Sequence, residues 1–366
     1  MKVLFPFVGD SVGGSHHSVI ELYRELRKND IPSFLVVHKK GPLTLFLDDI
    51  GIPYEYMPIY NLAGENPNIF LIFYSMLTNF FRIYRYISCN KISIVHGNDL
   101  RINLTWSLPT RFSRASYIWH QRTTLSNSYY WNLINILADR FVTISHYVHN
   151  TLPSNIQDSK KNLVLNPFDT LTIYDKTESR YHIQSTYNLP EKAFIVGYVG
   201  RLVEWKNVDS IIKFLSAYSN TSLYLLIVGT GKDKYVSNLK KLSNNNSIVF
   251  TGFVNNPSKI IAGLDLIIAP SNTEPFGRTL VEAMIQKTPV LASRSGGHME
   301  IIKHELTGWL YNNGDVENFI TQLENIMNRS EIVEKVVQNA HEFSCSKYSS
   351  FKHYKNIVNI YHRSNN

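Results

Sequence analysis

The chain has 366 residues, 44% apolar and only 18% charged, enough length and apolar mass for two buried cores. Its net charge of +8 is shared evenly between residues 1–170 and 171–366, with no basic tail or block. That distribution argues against a nucleic-acid partner and suits a phosphate-bearing ligand or an anionic membrane surface.

The opening MKVLFPFVGD has too short an apolar run for a signal peptide. Lys2–Val8 reads as a buried strand, Gly9–Ser15 as a glycine-rich loop, and His16–Lys28 as a helix with Val19, Leu22 and Leu26 on one side. Phe34–Val37 is a second strand, and Gly51-Ile52-Pro53 punctuates the next connection. Residues 54–87 concentrate aromatics, among them Phe70, Phe73, Tyr74, Phe81 and Tyr84. Two readings of that stretch stay open, ordinary core or an interfacial face aided by Arg82 and Arg85. Ile69–Ile87 comes nearest to a membrane span, but Ser75, Thr78, Asn79, Arg82 and Arg85 interrupt it. Short strands follow at Ser93–His96, Tyr117–Trp119, Phe141–Ile144 and Leu163–Leu165.

A polar segment near 170–190 marks the domain boundary, after which Phe194–Gly200 restarts the strand–helix rhythm. Asn207–Leu215, Tyr235–Leu242 and Val316–Met327 read as helices; Leu223–Val228, Ile248–Thr251, Leu266–Ala269 and Val290–Ala292 read as strands. The expectation is α/β, two Rossmann-like domains of mostly parallel sheet, with a ligand at the carboxyl ends of the strands and the interdomain cleft as the default active site. Cys89 and Cys345 are isolated, which excludes a disulfide scaffold and points to a reducing compartment.

The candidate chemistry concentrates in Pro270–Gly297. Glu274 lies in a loop flanked by proline and glycine, and Glu282 follows, seven residues intervening, in an apolar-periodic helix. Carboxylates are acceptor-only groups suited to sugar and ribose hydroxyls, and the helix N-terminus offers free N–H groups to an anion. Phe276 and Gly277 place backbone N–H groups beside the ligand. Arg278 sits where the helix dipole disfavours a cation, so it invites a phosphate. Arg201 and Lys206 follow a strand end and suit a diphosphate. Gly229 and Gly231 allow close backbone approach, and Phe253 can border a base. Each has a plain structural alternative: a solvated turn, a strand terminus, or for Glu282 a salt bridge in the first helical turn.

In the first half, Gly13 and Gly14 lack the spacing of a dinucleotide or Walker fingerprint but can lie against a phosphate. His16 and His17 read as helix-start residues. His120, at a strand end, is the preferred active-site histidine, with a satisfied structural histidine as the alternative. Asp99, Arg101 and Arg122 are secondary acceptor-side candidates, Asn166 and Asp169 organise a turn, and Ser145 reads as a helix cap. There is no D-x-D sequence and no metal-ligand spacing, so no metal or other cofactor is expected.

These residues resemble a known family, the retaining glycosyltransferases of the GT-B fold in the large group numbered four. The E-x7-E pattern is matched by Glu274 and Glu282 within EPFGRTLVEAM, and Gly200-Arg201 with Lys206 matches the family's phosphate-binding pair. Gly229–Gly231, Thr251–Phe253 and Pro289–Gly297 fall in family order, and Gly13, Gly14 and His120 match weaker N-terminal features. The resemblance implies that Arg201 and Lys206 bind the donor diphosphate, Glu282 the ribose and Glu274 the donor sugar, with His120 beside that sugar. It also implies that residues 350–366 cross back to a first domain of 1–170, leaving 171–349 as the nucleotide-sugar domain. The family's Asn-Gly turn appears here as Asn166-Pro167-Phe168-Asp169, without the glycine.

The expected activity is transfer of a sugar, with same-face substitution, from a UDP- or GDP-type donor to a glycan or lipid-linked glycan. The expected setting is the cytoplasm or the inner face of the cytoplasmic membrane. The alternatives are a nucleotide-sugar epimerase or phosphorylase on the same architecture, or a non-catalytic nucleotide- or glycan-binding protein.

Overall fold

The computed structural model describes residues 1–66, 68–126, 128–218, 222–243 and 247–364. The chain forms two units, Met1–Asp169 with Tyr348–Asn366, and Thr170–Lys347.

The first unit is built on β1 (Val3–Phe7), β2 (Ser33–Val37), β3 (Glu55–Tyr56), β4 (Ile94–Gly97), β5 (Ser116–Gln121), β6 (Arg140–Thr143) and β7 (Lys161–Leu163). All pair in parallel in the order β3-β2-β1-β4-β5-β6-β7. β1 and β5 are buried at every position because helices cover both faces of the sheet. One face packs Phe5, Leu22, Leu26 and Ile94 with Ile357 and Tyr361 from the last helix, Ser350–Ser364. The other packs Leu4, Val95, Trp106 and Trp119 with Met76, Ile83 and Ile87 of the Ile69–Cys89 helix. That helix starts where the Asn68 side chain accepts from the Phe70 N–H at 2.9 Å. The stretch therefore splits: aliphatic Met76, Ile83 and Ile87 are core, while Phe70, Phe73, Tyr74, Leu77, Phe81 and Tyr84 are exposed.

The second unit is built on β8 (Phe194–Val199), β9 (Leu223–Val228), β10 (Ile248–Gly252), β11 (Leu266–Ala269), β12 (Val290–Ser293) and β13 (Trp309–Tyr311), parallel in the order β10-β9-β8-β11-β12-β13. Its core joins Val196, Leu225 and Ile268 to Phe319 and Leu323 of the Val316–Asn328 helix. The polar segment after residue 170 contains a helix, Lys176–Tyr187, that apolar periodicity did not announce. Asp175 caps it at 2.7 Å, and Arg180 grips both oxygens of Asp265 at 2.8 and 2.7 Å. Gly263 lets it approach: a Cβ there would lie 2.6 Å from the Arg180 nitrogen.

Both sheets have a switch point, where successive crossovers leave in opposite directions. It lies between β1 and β4 in the first unit and between β8 and β11 in the second.

Candidate active site

In the second unit, the loops leaving the two strands at the switch point are stitched together. The Asn272 N–H donates to the Trp205 carbonyl at 2.9 Å, and the Thr279 hydroxyl to the Val199 carbonyl at 3.1 Å. This brings Lys206, from the loop after β8, within 2.6 Å of Glu274 Oε2, from the loop after β11. Ser271 donates to the same oxygen at 3.0 Å, and His298 Nε2 stands 3.9 Å from it. These three contacts all fall on Oε2. Glu274 is only 6% exposed. Burial would raise its carboxyl, but Lys206, with His298 and the Ser271 hydrogen bond, outweighs burial and holds it below the usual range. His298 is itself pushed down to about 4 by burial, against the pull of Glu274. It is neutral at pH 7, so Lys206 is the cation that keeps the carboxylate ionised.

Ser271 and His298 were not among the residues singled out from sequence. Gly297 supplies the missed signal. A Cβ there would lie 2.5 Å from Phe276 Cα, and its N–H donates to the Glu274 carbonyl at 2.7 Å. The glycine pair thus draws the next residue, His298, under the carboxylate. Gly277 takes φ +107° at the start of the Arg278–Ile285 helix, a backbone that favours glycine. Within that helix Arg278 and Glu282 stand 3.3 Å apart, both partly buried. Arg201 is exposed; its carbonyl accepts from the Tyr198 hydroxyl at 2.8 Å, and among the described residues its guanidinium has no ion-pair partner. The Lys206 ammonium also sits 4.6 Å over the Trp205 ring.

Gly229 and Gly231 serve the join between loops. A Cβ at Gly229 would lie 1.9 Å from the Gly200 carbonyl oxygen, and one at Gly231 1.9 Å from that of Leu202. Phe276 is buried. Phe253 is exposed beyond β10, and no contact ties it to the Glu274 cluster.

In the first unit, Gly13 caps the Gly14–Lys28 helix, and its N–H donates to His16 Nδ1 at 3.1 Å. Burial, eased by Asp99, pushes His16 down to about 4. His120 is the next-to-last residue of β5 and is buried. Its Nδ1 lies 3.4 Å from Arg122 Nη2 and 3.0 Å from His96 Nε2. Arg122 can only donate, so His120 Nδ1 accepts and His96 Nε2 carries a proton. His96 Nδ1 then accepts from the Tyr361 hydroxyl at 2.6 Å. The proton of His120 is left on Nε2, which meets no hydrogen-bond partner among the described residues. Burial, then the charge of Arg122, holds His120 well below its ordinary value, so it is a neutral donor at pH 7. Arg122 also bonds Asn98 at 2.7 Å and Asn166 at 2.6 Å. Ser18 bridges Asn166, at 3.2 Å, and the Gly14 carbonyl, at 2.9 Å. One polar network therefore joins the Gly13-Gly14 turn to His120. Asp99 caps the Leu100–Arg111 helix, and Arg101 clasps Asp10 at 2.6 Å. Ser145 accepts from the Val148 N–H at 3.1 Å as a cap.

Among the described residues no three or more His, Cys, Asp or Glu side chains cluster so as to hold a metal ion.

Comparison with known proteins identifies the family and the fold. Residues 12–170 match the model for Glycosyltransferase Family 4, and residues 180–343 the model for Glycosyl transferases group 1. An O-antigen biosynthesis glycosyltransferase of Escherichia coli, WclY, is 21% identical over 92% of this chain and 88% of its own. An uncharacterised glycosyltransferase of Methanocaldococcus jannaschii is 30% identical over 50% of this chain, and the match spans only 48% of that relative. For the N-acetyl-alpha-D-glucosaminyl L-malate synthase of Bacillus anthracis the identity is 24% and the span 60% of the relative. Anabaena HepE, solved with UDP and glucose, superposes with a TM-score of 0.86 at 20% identity, covering 98% of this chain and 99% of that one. A Rickettsia africae glycosyltransferase gives 0.83 at 21%, over 99% and 98% of the two chains. The fold is GT-B, and with the two family models covering residues 12–170 and 180–343 the chain belongs to the family 4-like glycosyltransferases.

Proposed function

We propose that the protein is a retaining glycosyltransferase moving a sugar from a nucleoside-diphosphate donor to a glycan or lipid-linked glycan of a bacterial surface polysaccharide. The observation that carries this reading is the stitched pair of loops at the second unit's switch point, with Lys206 against Glu274 and Arg201 open beside them. Arg201 and Lys206 bind the diphosphate, Glu282 the ribose, and Glu274, through the oxygen Lys206 leaves clear, a hydroxyl of the donor sugar. His120 Nε2–H donates to a further hydroxyl. As the bond from the anomeric carbon to phosphate oxygen breaks, its electron pair passes to the diphosphate, and the two cations stabilise the growing charge. The acceptor oxygen attacks the same face, and its proton passes to the leaving phosphate oxygen. No divalent ion is assigned a role in this scheme. UDP in the HepE structure, and the names of the Escherichia coli O-antigen and Staphylococcus aureus capsule relatives, support the donor and acceptor classes.

The test is a donor–acceptor panel with mass-resolved products and NMR of the new linkage. The expected result is donor-dependent transfer with retained anomeric configuration, undiminished by chelators, and lost at least a hundredfold in Glu282→Ala. Isomerised donor without acceptor would make it an epimerase. Tight binding without turnover would make it a binding protein.

A further inference from the structure

The Ile69–Cys89 helix is apolar on its inner side and apolar again on its outer side. Met76, Ile83 and Ile87 face the core. Phe70, Phe73, Tyr74, Leu77, Phe81 and Tyr84 recur at helical spacing and form a second stripe, away from the core. Phe70 is 79% exposed, Leu77 64% and Phe81 80%. Phe112, at the end of the Leu100–Arg111 helix, is 66% exposed and extends the patch; its ring meets Phe80 edge-on at 5.5 Å. Folded soluble chains rarely leave so large a continuous apolar ridge in water.

The charges carried by the two helices have one sign, and the acids that reach them are engaged, Glu55 by the Tyr86 hydroxyl and Glu65, beside Leu71 and Tyr74, by Lys39. Arg82, Arg85, Arg111 and Arg114 are all exposed, and neither helix contains an aspartate or glutamate. Arg82 Nη1 donates to the Pro58 carbonyl at 2.6 Å, and among the described residues its Nε and Nη2 meet no hydrogen-bond partner. A ridge about 20 Å long, aromatic along its crest and cationic at its flank, matches the interface of a bilayer. Rings settle at headgroup depth there, and arginines meet lipid phosphates. The helix does not cross the bilayer: among the described residues none is long and apolar enough.

We propose that this ridge docks the protein on an anionic lipid bilayer, the helix lying in the plane of the interface. The proposal goes beyond the sugar-transfer reading and is tested without donor or acceptor. The intact protein is mixed with vesicles of phosphatidylcholine alone, or with phosphatidylglycerol added, and the bound fraction is measured by flotation. The expected result is binding to the anionic vesicles that weakens as salt rises. The double variant Phe70→Glu/Phe81→Glu should lose at least tenfold in partitioning with its circular dichroism unchanged. Arg82→Gln and Arg85→Gln should each lose about fivefold. In Phe81→Trp, bromine-labelled acyl chains should quench the new indole, a readout that does not depend on the charged variants folding. Absence of binding to either vesicle overturns the proposal, as does binding that ignores the glutamate substitutions. A dimer that those substitutions dissolve, without vesicle binding, would assign the ridge to a protein partner instead.

Discussion

The two units place their candidate chemistry at corresponding points of similar sheets, yet assemble it in different ways. In the second unit the groups sit on the 200–207 loop and on the 270–277 loop with the helix that follows it, and the main event is one buried ion pair, Lys206 with Glu274. In the first unit, charge recedes into a chain of neutral groups: Tyr361, His96 and His120, with Arg122 at the end. A buried ion pair holds a carboxylate charged and aimed. A chain of imidazoles fixes which nitrogen carries a proton. One unit thus presents fixed charge and the other a directed N–H.

The largest test of that contrast is acid. Burial pushes His16 and His38 in the first unit down to about 4. The unfolded chain protonates these near pH 6.5, so below that value it binds more protons than the folded one. Stability full above pH 6.5 is therefore lost as pH falls toward 4, by about 2 kcal/mol for each of the two at pH 5. His96 and His120 lie lower still and add to the loss. In the second unit His298 is the one buried histidine at about 4, and the lowered Glu274 carboxyl matters only below its ordinary range. Hydrogen exchange at pH 7 and pH 5 should show residues 1–169 opening before 170–347. Equal loss of protection in both units would remove the contrast.

Next is the ion pair. Lys206→Ala should cut transfer by about 10²- to 10³-fold and lower stability by about 3 kcal/mol, because Glu274 stays buried without its cation. Lys206→Ala/Glu274→Gln should regain most of the stability and none of the activity. Steady-state kinetics with urea unfolding separates the two effects.

The smallest test concerns the glycine turns. Gly229→Ala drives a methyl group into the Gly200 carbonyl and should cost about 3 kcal/mol. Gly13→Ala meets open space at extended backbone, and should cost less than about 1 kcal/mol as a poorer cap. Urea midpoints of the two variants decide it; similar losses would mean that both turns are held by packing.

The same contrast explains what could be read from the chain. Glu274 and Glu282 share one loop and helix, so their spacing carries the geometry, and Lys206 follows a strand end that apolar pattern reveals. His298 escaped notice because its place under Glu274 depends on the missing side chain of Gly297, which no periodicity displays. In the first unit, His96 meets a hydroxyl 265 positions along the chain, and nothing local pairs them. The Lys176–Tyr187 helix was hidden because it is held by Asp265 and a cap rather than by an apolar stripe. The Leu100–Arg111 helix was hidden because Asn103, Thr105, Ser107 and Thr110 are buried in it where apolar residues would be expected. The aromatic run could not be resolved from composition, since the helix turns aliphatic Met76, Ile83 and Ile87 to the core and most of its rings outward.

Tyr361 also sets an order of events during synthesis. The first strands leave the ribosome long before the helix that completes their packing, and all of Thr170–Lys347 is made in between. Those strands therefore mature only after a whole second unit has been made, and their histidine relay stays unfinished, open to water and to chaperones, until that helix emerges.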